Sequence, residues 1–289
     1  MDRRFPLGRI FTVTAYAAVI FLYLPSLAVI VFSVNDTRFG LSWKGFTLEW
    51  YRRLAHDPYI LDAAWNSLIV AGVSTLTATV LGTGLALGLA RLKKPGMLDF
   101  FVNLPIVVPD IIMAVALALA FSLMRAFSSV FEMGMFTLIL GHVTFQISFV
   151  TLTVRSRLAT MDKEMDLAAR DLNARPYYAF TRLTLPLLAP AIVAGAMIAF
   201  TLSLDDFIIS FFTHGPDSVT LPIFIYASVK RGITPEIHAL STLMLVATVV
   251  LILLAERASR AINRIGRDRA KKAMEMAAAE LSVAEHPLR

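Results

Sequence analysis

The sequence predicts an all-α integral membrane protein with six transmembrane helices, both termini cytoplasmic, and a short cytoplasmic helix between the fourth and fifth spans. Three observations carry this reading. The chain of 289 residues is 57% hydrophobic and only 17% charged, against about 45–50% and about 25% in soluble domains. Six stretches come close to the roughly 20 apolar residues that cross a hydrocarbon layer. Lysine and arginine, 27 in all, gather on one side of those stretches.

The first span, Ile10–Phe32, follows Arg3, Arg4 and Arg9. A basic start of this kind opens secretory signals, but the apolar run is too long and no small-residue cleavage pattern follows, so it reads as an uncleaved span. The outer segment Ser33–Asn66 carries Trp43, Trp50, Tyr51 and Trp65, the residues of an interfacial aromatic belt. The second span, Ser67–Ala90, contains Gly72, Gly82, Gly84 and Gly88, which either let a neighbouring helix approach closely or are simply tolerated in lipid.

The third and fourth spans are Leu104–Leu123 and Phe136–Val154; the fifth and sixth are Leu187–Phe212 and Ala239–Ala255. Leu, Val, Ala and Ile run around every face of them, as in helices dissolved in lipid or buried in a bundle. Thr213–His238, with Gly215-Pro216 and breaks at Pro222, Gly232 and Pro235, reads as a structured outer loop.

With the amino terminus inside, inner segments hold 20 of the 27 Lys and Arg. The outer ones keep Arg38, Lys44, Arg52, Arg53, Arg125, Lys230 and Arg231. That asymmetry orients the bundle and accounts for the formal charge of +6 without nucleic acid as a partner. The basic tail, residues 257–289, reads as a solvated or headgroup-facing extension. The absence of Cys excludes disulfide scaffolds, thiolate metal sites, iron–sulfur clusters and cysteine nucleophiles.

The cytoplasmic loop, residues 155–186, holds the most specific pattern. Leu158, Met161, Met165, Ala168 or Ala169, and Leu172 recur at steps of three and four on one helix face. Asn173, tolerant of the left-handed conformation, and Pro176 end it. Amphipathicity alone would make this a membrane-surface helix. The stretch Leu167-Ala168-Ala169, Asn173, Leu183, Leu185-Pro186, however, resembles the loop signature of bacterial ABC importer permeases: Glu-Ala-Ala, three residues, Gly, nine residues, Ile, one residue, Leu-Pro. Leu167 stands in place of the Glu and Asn173 in place of the Gly. Asp166 is the nearest carboxylate that could replace the missing Glu.

Further strings are similar to the polyamine (spermidine and putrescine) branch. They include Trp50-Tyr51, Pro109-Asp110-Ile111, Gly141-His142-Val143-Thr144-Phe145, Phe200-Thr201-Leu202-Ser203-Leu204-Asp205-Asp206 and Gly232-Ile233-Thr234-Pro235-Glu236-Ile237. The resemblance implies a permease subunit in a bacterial inner membrane, with a transmembrane domain over residues 1–256 and a tail over 257–289. It implies no chemistry of its own and no cofactor: ATP and Mg belong to partner ATPase subunits. A second permease and an extracytoplasmic solute-binding protein complete the system. Asp166, Leu167, Ala168, Ala169, Asn173, Leu183, Leu185 and Pro186 would form the ATPase contact, with the helix at 160–173 as coupling helix.

Carboxylates inside a span cost on the order of 2.5–3.5 kcal/mol and face a cavity or a partner. Asp110, Asp205 and Asp206 are of this kind. One reading has Asp110 and one of the adjacent pair attracting a cationic solute; the other has them in structural hydrogen bonds or ion pairs. His142, beside Thr144 and Gln146, reads as a hydrogen-bonded helix histidine, and five scattered His give no metal site. Permeases for other solutes share the loop signature. An ion-driven secondary transporter would carry internal repeats, and none is evident. A membrane-embedded enzyme would need Ser, His and Asp gathered at one depth, which no spacing in the sequence does.

Overall fold

The computed structural model describes residues 6–37, 42–92, 94, 96–161, 175–232, 234–254, 256–257 and 260. Among them the protein is helical, with one isolated antiparallel bridge, Asn35 to Phe46, as its only extended pairing. Among the described residues five helices are long and apolar enough to span a membrane, and a sixth crossing is made only if a bent pair counts as one.

Helix α1 is Pro6–Phe32, and every residue from 11 to 25 is exposed, so an apolar rod faces lipid or another subunit along most of its length. A short α2, Glu49–Leu54, precedes α3, Pro58–Arg91. At 34 residues α3 is about 51 Å long, and it begins well before the expected Ser67. The cause is a start signal in the loop. Asp57 Oδ1 accepts hydrogen bonds from the N–H groups of Tyr59 (2.9 Å) and Ile60 (3.4 Å), and Pro58 follows it as first helical residue.

The expected third span, Leu104–Leu123, is two helices. α4, Gly96–Val107, and α5, Asp110–Met124, meet at 111°. Pro109, at φ −56 and ψ 136, is extended, and a residue preceding proline, here Val108, is kept out of the helical region. The fourth span is α6, Met135–Ala159. α7 runs over Pro176–Asp205 with a π turn at Phe180–Thr184. Pro186 has no N–H to offer, and just before it the Leu185 N–H reaches back five residues to Phe180 O.

The expected fifth span, Leu187–Phe212, is also broken. α7 ends at Asp205, Asp206 is extended (φ −65, ψ 122), and α8 is a separate Ile208–Thr213. Asp205 and Asp206 are therefore not neighbours on one helix, and the 100° separation of successive helical positions does not govern them. The segment expected as a loop, 213–238, contains its own helix, α9, Leu221–Arg231, and α10, Pro235–Leu254, starts inside it.

The chain divides into two compact units. The first takes Met1–Trp65 with Thr220–Thr248. Trp50, 5% exposed, sits in its core with Leu54, Ile60, Ala239 and Leu240, and its indole N–H donates to Asn35 O at 2.9 Å. Fully buried Asn35 also donates through Nδ2 to Ser42 O (2.9 Å) and accepts at Oδ1 from Lys44 N–H (2.9 Å). Trp50 is thus a structural anchor rather than a member of an interfacial belt, whereas Trp43 and Trp65 are exposed. Arg53 stacks on Trp50 and pairs with Glu49 and Glu236.

The second unit takes Asn66–Val219 with Val249–Arg289, and α6 runs through its middle. Val150 of α6 is approached from two sides by glycines. A Cβ on Gly82 of α3 would lie 2.9 Å from Val150 Cβ, and one on Gly195 of α7 would lie 3.3 Å from Val150 Cα. Gly72, Gly84 and Gly88 have open space instead. Of the glycines noted on the second span, Gly82 alone is required by close packing. At the foot of α6, Arg155 pairs with Asp99 of α4 and Arg157 Nε donates to Leu187 O at 3.4 Å.

Candidate functional site

The site grows from the break between α7 and α8. Because Asp206 leaves the helical conformation, its carboxylate turns back onto the next helix. Oδ1 accepts from Ile209 N–H (3.3 Å), and Oδ2 accepts from both Ser210 N–H (2.8 Å) and Ser210 Oγ–H (2.9 Å). A break inside a membrane bundle exposes backbone donors, and this side chain satisfies two of them.

His142 of α6 closes the arrangement from the opposite side. It is fully buried, with Nδ1 2.7 Å from Ser203 Oγ and Nε2 2.9 Å from Ser210 Oγ and 3.4 Å from Asp206 Oδ2. Ser210 spends its hydroxyl proton on Asp206, so it accepts from His142. In the neutral ring the proton therefore sits on Nε2, and Nδ1 accepts from Ser203. Ser203 Oγ in turn lies 3.4 Å from Ser74 Oγ of α3. The chain Ser74, Ser203, His142, Ser210, Asp206 thus links α3, α7, α6 and α8. One turn further along α6, buried Gln146 donates to Ala199 O at 3.1 Å.

Ser, His and Asp do meet at one depth, contrary to the expectation from spacing. Ser203 is nevertheless 5% exposed and held between His142 and Ser74, so it is not presented as a nucleophile. Among the described residues no group of three or more His, Asp or Glu could hold a metal.

The three carboxylates separate. Asp206 side-chain exposure is 12% and both its oxygens are engaged. Asp205, the last residue of α7, and Asp110, the first of α5, are exposed. α5 and α8 pack together, with Ala114, Phe145 and Ile209 in one buried cluster. Asp110 precedes Ala114 by four residues and Asp206 precedes Ile209 by three, so both helix breaks lie within about one turn of the same cluster.

Of the loop residues, Leu183 lies in the π turn, and Leu185 and Pro186 are exposed on the turn that follows. Asp166, Leu167, Ala168, Ala169 and Asn173 lie outside the described residues, as does most of the helix expected at 160–173. Ser74, Ser203 and Ser210 escaped sequence reasoning. The i,i+4 spacing of Asp206 and Ser210 was the one local sign, whereas Ser74 and His142 are joined to Ser203 across 129 and 61 residues.

Residues 78–265 match the sequence model of the family described as "Binding-protein-dependent transport system inner membrane component". The chain is 39% identical over 243 residues to the spermidine/putrescine transport system permease protein PotC of Escherichia coli (strain K12), covering 83% of this chain and 90% of that one. It is 38% identical over 235 residues to the putrescine transport system permease protein PotI of the same strain, covering 80% and 84%. With PotC of Haemophilus influenzae it shares 37% over 262 residues, covering 90% and 99%. Among solved structures, a bacterial ABC transporter involved in the import of the acidic polysaccharide alginate superposes with a TM-score of 0.71 at 17% identity, over 89% of this chain and 95% of that chain. The MetNI methionine ABC transporter, in an inward-facing form, gives 0.59 at 18%, over 70% and 95%. At such identities these two likenesses speak for the fold alone.

Proposed function

The chain belongs to the family of binding-protein-dependent transport system inner membrane components, and from that premise we propose that it is the permease subunit of an ATP-driven importer of the polyamines putrescine and spermidine. The observation that carries the cargo is the 37–39% identity, over at least four-fifths of the chain, to permeases named for those two solutes. The chain works in a bacterial inner membrane with both termini cytoplasmic, and the bent α4–α5 pair counts as its sixth span. Its partners are a pair of ATPases that bind ATP and Mg, a second permease and an extracytoplasmic binding protein.

The division of labour follows from burial. Asp206 is committed to holding the α7–α8 break, so the carboxylates free to meet an ammonium group are Asp110 and Asp205. They make an entering dication less costly to desolvate by offering opposite charge beside its path. The loop before α7, including the signature at Asp166–Asn173, seats in the ATPase. α7 rises from that loop and ends at Asp205, so closure of the nucleotide dimer is transmitted along one helix to the break. Two global states then alternate, one favoured by ATP and the other by loaded binding protein.

The test is reconstitution of the chain with the ATPase, second permease and binding protein encoded beside it, followed by uptake of labelled putrescine and spermidine. ATP-dependent accumulation of either is expected. Robust uptake of an unrelated solute with neither polyamine transported would overturn the cargo assignment, and uptake by the purified chain alone would overturn the subunit assignment.

A further inference from the structure

α7 has two faces. Gly195, Ala199 and Ser203 turn toward α6. Ala194, Met197, Ile198 and Thr201 recur at steps of three and four on another face and, with Ile252 of α10, wall an apolar groove of about 530 Å³. Ile198 is 42% exposed and Ile252 48%, and the Thr201 hydroxyl is spent on Met197 O at 3.0 Å, so the wall offers no free polar donor. The groove ends at Glu256 and Arg260, an exposed i,i+4 ion pair two and six residues beyond the end of α10, with Arg257 exposed beside it. From 257 to 272 the sequence carries seven Lys and Arg against one acid, Asp268.

We propose that this groove binds an anionic phospholipid, with an acyl chain along Ala194–Thr201 and Ile252 and the phosphate at Arg257 and Arg260. The occupant has to be apolar over the length of the wall and negative at one end. A bilayer supplies such a molecule in every leaflet with acidic headgroups, and basic pockets where transmembrane helices meet the surface recognise those headgroups. The Glu256–Arg260 pair does not oppose this, because an exposed pair holds its partners weakly and Arg260 is free to share its guanidinium with a phosphate. Five more basic residues follow Arg260 in the sequence before position 273 and add to the attraction of this end of the chain for acidic lipid.

The experiment uses the full chain, in complex with the subunits it copurifies with, in nanodiscs. Phosphatidylglycerol or phosphatidylcholine carries a photoactivatable group on the acyl chain, and crosslinked peptides are mapped by mass spectrometry. Phosphatidylglycerol should label peptides holding Ile198 and Ile252 more than phosphatidylcholine does, and Arg257→Gln and Arg260→Gln should each reduce that preference roughly fivefold. Arg257→Lys with Arg260→Lys should retain it, and millimolar inorganic phosphate should leave it unchanged. Equal labelling by the two lipids overturns the proposal. So does absence of labelling together with a crosslink from Ile198→Cys to the second permease, which would make the groove a protein interface. The readout is independent of transported cargo, so failure of the polyamine assignment leaves it standing.

Discussion

His142 Nε2 lies 3.4 Å from Asp206 Oδ2, with Ser210 Oγ within 2.9 Å of both groups. One imidazole therefore steadies the carboxylate that caps the helix following the break. Removing either partner leaves the other buried and under-bonded, the costly half of any hydrogen-bond exchange. His142→Ala and Asp206→Ala should each lower the stability of the solubilised complex, and the double variant should lose less than the sum. A coupling energy of about 1–3 kcal/mol is expected from a thermodynamic cycle by pulse proteolysis. Strict additivity would mean that the two side chains act separately.

Gly82 should be far less replaceable than Gly84, two residues away. A methyl at position 82 collides with Val150 Cβ, whereas position 84 has nothing within 4 Å. Gly82→Ala should destabilise by about 1–3 kcal/mol through overpacking. Gly84→Ala should be neutral or gain up to about 1 kcal/mol of helix propensity. Val150→Ala combined with Gly82→Ala should recover little of the loss, because the Val150 Cβ survives that change and Ile147 O stays 3.0 Å away, and thermal midpoints of the three variants decide it.

Asp110→Asn and Asp205→Asn change exposed carboxylates, so membrane abundance should be unaffected. If they meet the solute's ammonium groups, each should raise the putrescine concentration for half-maximal uptake about tenfold or more, the size of a lost charge-assisted contact. Uptake by both variants at the original half-saturation would return the two residues to the surface.

Ala168→Arg puts a long charged side chain into the Leu167-Ala168-Ala169 stretch of the loop signature, and the ATPase should no longer copurify. Leu167→Glu restores the residue that the loop signature of ABC importer permeases carries and should leave ATPase binding intact. Pull-down on a tagged chain reads both, and retention of the ATPase by Ala168→Arg would argue that the contact lies elsewhere.

Long apolar runs were legible because lipid imposes one requirement on every turn, and α1, α6 and α10 fall within a few residues of their expected limits. The misreadings have local causes that were visible. Asp57-Pro58 announces the true start of α3, and Val108-Pro109-Asp110 announces the bend between α4 and α5. The break at Asp206 carries no proline and is stabilised from outside, by His142 and Ser210, so hydropathy ran straight through it. Trp50 was misplaced for a similar reason. Its burial depends on Asn35 and on Ala239 and Leu240, far along the chain, and not on its polar neighbours.

The length of α7 sets a mechanical sensitivity. Ser203 stands 27 residues beyond Pro176, about 40 Å along the axis. A rigid tilt of about 2° at the foot carries it through roughly 1.4 Å, more than a 2.7 Å contact to His142 tolerates. Small leverage at the foot of α7 is thus enough to unhook the serine from the buried imidazole.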